Sequence, residues 1–166
     1  IIQDYHFQSS FKNSLIVMTC AILLSVFLSC LMAYSIARFK TGGLKLRFAI
    51  LAIYMMPFIV VIVPFYHIIL TLGLLDTYLA LIIVYAGFQI SYNTWMLQAY
   101  IEQMPIELEE SAMIDGCSRL GAFLRIILPV MRLGLVATSI LTTMACWNDF
   151  QFALILTSKK SVSYTH

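Results

Sequence analysis

The most chemically informative stretch of this sequence runs Gln103-Met-Pro-Ile-Glu-Leu-Glu-Glu-Ser-Ala-Met-Ile-Asp-Gly116, then through Cys117 to Leu128-Pro129. Pro105 suits the first turn of a helix. Glu107, Glu109 and Glu110 fall in its early turns, where the helix dipole favours anions. Leu108 and Ala112 stand four apart, and Ile106 and Met113 seven apart, a spacing that predicts an apolar stripe. Gly116 is placed to end the helix in a left-handed cap. Ser118 is placed to cap a second short helix running toward Ile127, and Pro129 to open the helix after that. The chemistry this predicts is docking, not catalysis. An apolar stripe beside acids wants a partner's groove or the lipid head groups, and three glutamates argue against anionic lipid.

Two further groups carry polar chemistry inside apolar sequence. Asp149 is the only carboxylate deep in an apolar run. Such an acid costs about 2.5–3.5 kcal/mol at a membrane's centre, so it belongs against protein or a wet cavity. With Trp147 and Asn148 it either lines a solute path or forms a hydrogen-bonded pair between helices. Tyr92, Asn93 and Trp95 offer the aromatic and polar surface that sugars contact, or else interfacial anchoring and packing. His67 reads as an interfacial or packing histidine, with a proton relay as the alternative. No nucleophile with a base, no phosphate-binding GxxxxGK[ST] and no metal-ligand spacing occurs. Cys20 and Cys30 share one apolar run, about 15 Å apart on a helix and too far for a disulfide. All four cysteines read as small apolar thiols. The chain is predicted to hold no cofactor and no metal and not to be an enzyme.

These groups sit in 166 residues that are 61% hydrophobic and 11% charged, against roughly 45–50% and about 25% in soluble domains. That excludes a water-soluble globular fold and disorder. A net charge of +2 with no basic patch speaks against nucleic acid. Asn13 to Ala37, Phe48 to Leu75 and Thr77 to Ile101 are uncharged over 25, 28 and 25 positions. Roughly 20 helical residues cross a bilayer core, and lipid leaves helices as the structure such unbroken runs can form. A fourth run, Ile126 to Thr157, is broken by Arg132 and Asp149. It is too long for one upright span, so its start belongs at the interface. The predicted fold class is an all-α membrane protein, a polytopic helical bundle with about four spans at 13–37, 48–72, 77–101 and 133–157. Pro57 and Pro64 predict a bent second span, either lining a pathway or simply tolerated.

Seven of the ten Lys/Arg residues fall in or beside the first and third loops (Arg38, Lys40, Lys45, Arg47, Arg119, Arg125, Arg132). The positive-inside rule therefore puts 38–47 and 103–127 in the cytoplasm and both ends outside. Lys12, Lys159 and Lys160 weigh against this without reversing it. The chain starts at Ile1 and stops just past an apolar run, which reads as a piece of a longer membrane protein.

The long loop resembles the EAA loop of permease subunits of binding-protein-dependent ABC importers. That pattern is E-A-A, three residues, G, nine residues, I-x-L-P. Here it is Glu110-Ser111-Ala112, then Asp115-Gly116, then Ile126-Ile127-Leu128-Pro129, with both gaps of the right length. Ser111 replaces the first alanine, a small-for-small change. Trp147-Asn148-Asp149-Phe150 resembles the W-N-[DE]-F segment of carbohydrate-type permeases, the group of the maltose-type second permease. Asn13-Ser14-Leu15, Ala33-Tyr34, Ala37-Arg38-Phe39, Leu72-Gly73-Leu74-Leu75-Asp76-Thr77 and Pro105-Ile106-Glu107-Leu108-Glu109-Glu110 resemble that group as well.

The resemblance implies the type I ABC importer (MetI-like) permease fold in a bacterial inner membrane. It implies a path for a sugar or polyol. Its partners would be a cytoplasmic ABC ATPase dimer carrying the ATP and magnesium, a second and non-identical permease, and an extracytoplasmic solute-binding protein. It makes 103–127 the coupling loop, with Glu110, Ser111, Ala112, Asp115, Gly116, Ile126, Leu128 and Pro129 as the residues that engage the ATPase. It leaves Tyr92, Asn93, Trp95, Trp147, Asn148 and Asp149 as the candidate path. An ion-gradient-driven transporter and a membrane anchor that recruits a cytoplasmic protein are the alternatives.

Overall fold

The structure is a computed structural model that describes residues 2–148, with side chains left undescribed at 2–7, 9–10 and 58–59. Among the described residues every regular element is helical. α1 (Ile2–Phe39) runs for 38 residues, and its Phe11–Phe39 part is long and apolar enough to cross a bilayer by itself.

The second apolar run does not form one bent helix. It forms α2 (Gly43–Met55) and α3 (Phe58–Thr71), whose axes meet at 95°. Proline lacks an N–H and pushes the residue before it out of the helical region. Met56 accordingly sits at φ −66°, ψ 129°, and Pro57 follows in the same extended range. Pro64 lies inside α3 without ending it. The expected span at 48–72 is thus two helices at nearly a right angle.

α4 (Tyr78–Glu102) is capped by Thr77, whose Oγ1 accepts from the Ala80 N–H and donates to the Leu74 carbonyl at 2.6 Å. At 25 residues it is long enough to cross a bilayer, but Ser91, Asn93, Thr94 and Gln98 lower its hydropathy. All four are buried. Asn93 spends its amide on the neighbours α1 and α8, and Gln98 bonds to Glu102 one turn on in α4, pairings that lower the cost of burial.

Beyond α4 come α5 (Glu107–Ile114), α6 (Arg119–Ala122), a π-helical turn (Phe123–Ile127), α7 (Leu128–Val130) and α8 (Arg132–Asn148). The segment Arg119–Val130 meets α8 at 70°, so the fourth run begins with a short arm before the long helix. The expected span at 133–157 is described only as far as Asn148.

Two apolar clusters frame the bundle. One gathers Val17, Ala21, Ile62, Ile69, Leu81, Val84 and Cys146 from α1, α3, α4 and α8. The other gathers Cys30, Ala33, Leu97, Ile101, Phe123, Ile127 and Met131 near the long loop. Between them lies a polar tie. The Asn93 amide donates to Ser25 Oγ at 3.3 Å and accepts from Thr142 Oγ1 at 2.8 Å, joining α4 to α1 and α8. Ser29 Oγ adds a bond to the Ile90 carbonyl at 3.1 Å.

α8 reaches α4 closely because Gly134 has no side chain. A Cβ there would lie 2.8 Å from the Tyr100 ring at Cγ and Cδ2. The Tyr100 ring must shift for even a methyl group to fit. Gly134→Val is expected to destabilise the protein by about 1–3 kcal/mol, the usual cost of overpacking. A lowered thermal midpoint of the purified full-length protein in detergent checks this; an unchanged midpoint would show that Tyr100 yields freely.

Candidate functional site

The long loop is built from local signals. Pro105 precedes α5 and Ile106 caps it. Glu107, Glu109 and Glu110 occupy the first turn, where the free N–H groups favour negative charge. The helix ends in a Schellman motif. The Cys117 N–H bonds to the Ala112 carbonyl at 2.9 Å and the Gly116 N–H to the Met113 carbonyl at 3.1 Å. Gly116 sits at φ +89°, a backbone shape that L side chains rarely adopt. A Cβ at Gly116 would meet nothing within 4 Å, so the demand for glycine is conformational and not steric. Ser118 then caps α6, its Oγ accepting from the Gly121 N–H at 3.1 Å.

The face α5 turns inward is set by charge. Glu109 is 4% exposed. Its Oε1 accepts from Arg38 Nε in a short ion pair, and the two side chains are 8% and 5% exposed. Its Oε2 accepts from the Tyr34 hydroxyl at 2.8 Å. Arg38 Nη2 donates to the Met104 carbonyl at 3.2 Å, just before the loop. Aromatic contacts extend the dock. The Tyr34 ring packs on Phe123 with centroids 4.6 Å apart, and the Arg119 guanidinium lies 5.3 Å from the Phe39 ring centroid. The end of α1 is thereby fastened to both arms of the loop.

This rotation corrects the stripe expected from spacing. Ala112 is buried with Glu109, and Met113 is half-buried. Ile106 and Leu108, expected on the same faces as Met113 and Ala112, point outward instead. The exposed apolar and acidic side is Ile106, Glu110 and Ile114, each four residues from the next, with Ile114 85% exposed. Ser111 is exposed and its hydroxyl bonds back to the Glu107 carbonyl at 2.7 Å. Asp115, Gly116 and Pro129 are exposed, while Ile126 and Leu128 are half-buried. Arg38, Tyr34 and Glu109 hold the loop to α1, and spacing alone misses them. A helical wheel anchored on Ala112 would have found Glu109, three residues earlier and on the same face.

The candidate path residues do not come together. Asn93 is wholly enclosed by the tie to Ser25 and Thr142. Tyr92 packs on Tyr54 of α2 with centroids 5.2 Å apart. Trp95 is 40% exposed and faces Leu44 and Phe48 of α2. Tyr92 and Trp95, one turn apart on α4, thus both face α2, while Asn93 faces α1 and α8. Trp147 packs edge-on to Phe11 of α1 at 6.0 Å and is half exposed. Asn148 ends α8 and is exposed; Asp149 lies outside the described residues. Among the described residues no three His, Cys, Asp or Glu gather as a metal site.

Breaking the buried pair from one side leaves an unpaired buried charge, which costs about 3–5 kcal/mol. Glu109→Leu is expected to lower the thermal midpoint of the full-length protein sharply, and Arg38→Met with Glu109→Leu to recover most of the loss. If single and double variants unfold alike, the pair does not hold the loop.

Comparison with known proteins gives a consistent result. The family model described as "Binding-protein-dependent transport system inner membrane component" matches residues 25–165. The chain is 41% identical over 149 residues to the "Probable ABC transporter permease protein YurM" of Bacillus subtilis (strain 168), covering 89% of this chain and 49% of that one. It is 36% identical over 154 residues to the "Trehalose/maltose transport system permease protein MalG" of Thermococcus litoralis, covering 92% and 55%. A solved chain from a bacterial ABC transporter involved in the import of the acidic polysaccharide alginate superposes with a TM-score of 0.82 at 21% identity, over 95% of this chain and 55% of that one. That last likeness concerns the fold alone. The chain spans about half the length of the relatives it matches.

Proposed function

This chain belongs to the family of binding-protein-dependent transport system inner membrane components, and from that premise we propose that it is part of the permease of an ATP-driven sugar or polyol importer. α5 is the helix that couples it to a cytoplasmic ATPase. The observation that carries this reading is a short helix held rigidly from behind and open in front. Arg38 and Tyr34 fix Glu109, and Ile106, Glu110 and Ile114 stay exposed on the other side.

Each part has a task in that mechanism. Ile106 and Ile114 fill an apolar cleft on the ATPase, and Glu110 between them meets a basic group there. ATP, with magnesium, is bound and hydrolysed on the ATPase, and closure of its dimer displaces α5 as a rigid body. The buried ion pair passes that displacement to α1. Loops 38–47 and 103–127 face the cytoplasm, in keeping with their basic residues. A second permease completes the path, and a solute-binding protein delivers from outside. Trp147 and Asn148, both exposed at the end of α8, touch the solute, with Asp149 next in sequence. The sugar class rests on the trehalose/maltose name of one relative and on the W-N-D-F segment.

Gentle solubilisation of the full-length protein, purification by a tag and mass spectrometry of everything retained tests the assembly. An ATPase and a second EAA-bearing permease are expected, with ATP hydrolysis stimulated by sugar and binding protein. Purification alone, under conditions that keep comparable complexes intact, would sink the reading.

Gly116→Leu tests the coupling. A leucine at φ +89° costs about 1–2 kcal/mol in the left-handed region, so the helix end must rearrange. Solute uptake is expected to fall while ATP hydrolysis persists; normal uptake would count against α5 as the coupling element.

A further inference from the structure

A second site lies away from the coupling face. A cleft of about 280 Å³ opens between the first turns of α2 and the last turns of α4, lined by Leu44, Arg47, Phe48, Trp95, Ala99 and Glu102. Arg47 immediately precedes the uncharged run that starts at Phe48, and Glu102 immediately follows the one that ends at Ile101. The charged rim of the cleft therefore lies at the border between head groups and hydrocarbon. Trp95, Ala99 and Glu102 share one face of α4. Trp95 lies about 10 Å deeper than Glu102 along the helix.

The rim is a partly used ion pair. Arg47 Nη2 binds Glu102 Oε1 at 2.8 Å and the Ile36 carbonyl at 3.4 Å. Gln98 Nε2 binds the same Glu102 oxygen at 2.9 Å. Among the described residues nothing binds Glu102 Oε2 or Arg47 Nε and Nη1. One spare anionic acceptor and two spare cationic donor nitrogens thus stand side by side, above an apolar floor made by Trp95, Phe48 and Ala99.

We propose that this cleft binds one zwitterionic phospholipid, a phosphatidylethanolamine, from the leaflet on the loop side. Its ammonium meets Glu102 Oε2 and its phosphate meets Arg47 Nε and Nη1, while an acyl chain lies against Trp95 in the notch left by Ala99. Charge complementarity selects this occupant. A phosphatidylglycerol lacks the cation. A phosphatidylcholine has a cation with no N–H to donate. A free phosphate leaves both the carboxylate and the apolar floor unanswered.

The test uses the full-length protein, with the subunits that accompany it, in nanodiscs. Photoreactive phosphatidylethanolamine, phosphatidylglycerol and phosphatidylcholine are compared, each carrying a diazirine on an acyl chain. Phosphatidylethanolamine is expected to label the segments 44–48 and 95–102. Labelling by each of the other two should be about tenfold weaker, the effect of roughly one lost charge-assisted contact. Glu102→Gln should abolish the preference, and Ala99→Phe, which fills the notch without touching a charge, should abolish the labelling. Equal labelling by the three lipids would overturn the proposal, as would no labelling of these segments, which would mean that protein covers the cleft. Because the headgroup comparison needs no variant and no transport assay, its result stands whether or not the importer reading survives.

Discussion

The loop's geometry depends on one buried charge pair. Arg38 and Glu109 are 71 residues apart in sequence and almost wholly shielded from solvent. Taking two charges out of water is expensive, and the attraction repays it only when the remaining donors and acceptors are also met. Here both Glu109 oxygens are engaged, by Arg38 and Tyr34, and Arg38 also reaches the Met104 carbonyl. Such a pair adds little stability over apolar residues of the same shape. What it adds is register. A helix of eight residues has too little apolar area to choose its own rotation, and α5 offers apolar side chains on several sides. The carboxylate decides among them by having one place to go.

Within the bundle the same economy of polar groups applies without charge. Ser25, Asn93 and Thr142 bond to one another across α1, α4 and α8. Thr138, Ser139 and Thr143 instead return their hydroxyls to carbonyls one turn back in α8, each at 2.7 Å. In hydrocarbon both are ways to keep a hydroxyl satisfied. Only the first ties helices together, and it needs an amide that can donate and accept at once. Asn93 supplies that, which gives a reason for a fully buried asparagine independent of any solute.

Much of this was readable from residues alone, and what was not has a common cause. The ends of the uncharged runs mark where α1 and α4 stop, because charge placement near lipid follows from local sequence. Gly116 and Ser118 announce their cap and turn for the same reason. The inward face of α5 was not readable from spacing, because it depends on an arginine in a distant helix. Pro57 and Pro64 obey one local rule and differ in outcome: the first ends α2 with a 95° turn and the second stays inside α3. Tyr92, Asn93 and Trp95 looked like one cluster because they are close in sequence. On a helix each residue turns by about 100°, so Asn93 faces α1 and α8 while Tyr92 and Trp95, one turn apart, both face α2.

The two connections from α5 into the bundle differ in kind. Toward α1 the link is short and buried, through the ion pair and the Tyr34 hydroxyl. Toward α8 the chain passes through Gly116, then a π-helical turn in which the Leu128 N–H reaches back to the Phe123 carbonyl, then a 70° bend at Met131. π-helical turns are rare, and this one is itself packed on α1 through the Tyr34–Phe123 contact. In the coupling proposed above, a push on α5 enters the bundle through α1, by way of the ion pair. α1 packs along α4 and is tied through Asn93 to α8, so these three helices share the displacement. α3, beyond the break at Met56 and Pro57, packs on that block through Ile62 and Ile69 and stands outside the Asn93 tie, whose bonds run to Ser25 of α1 and Thr142 of α8.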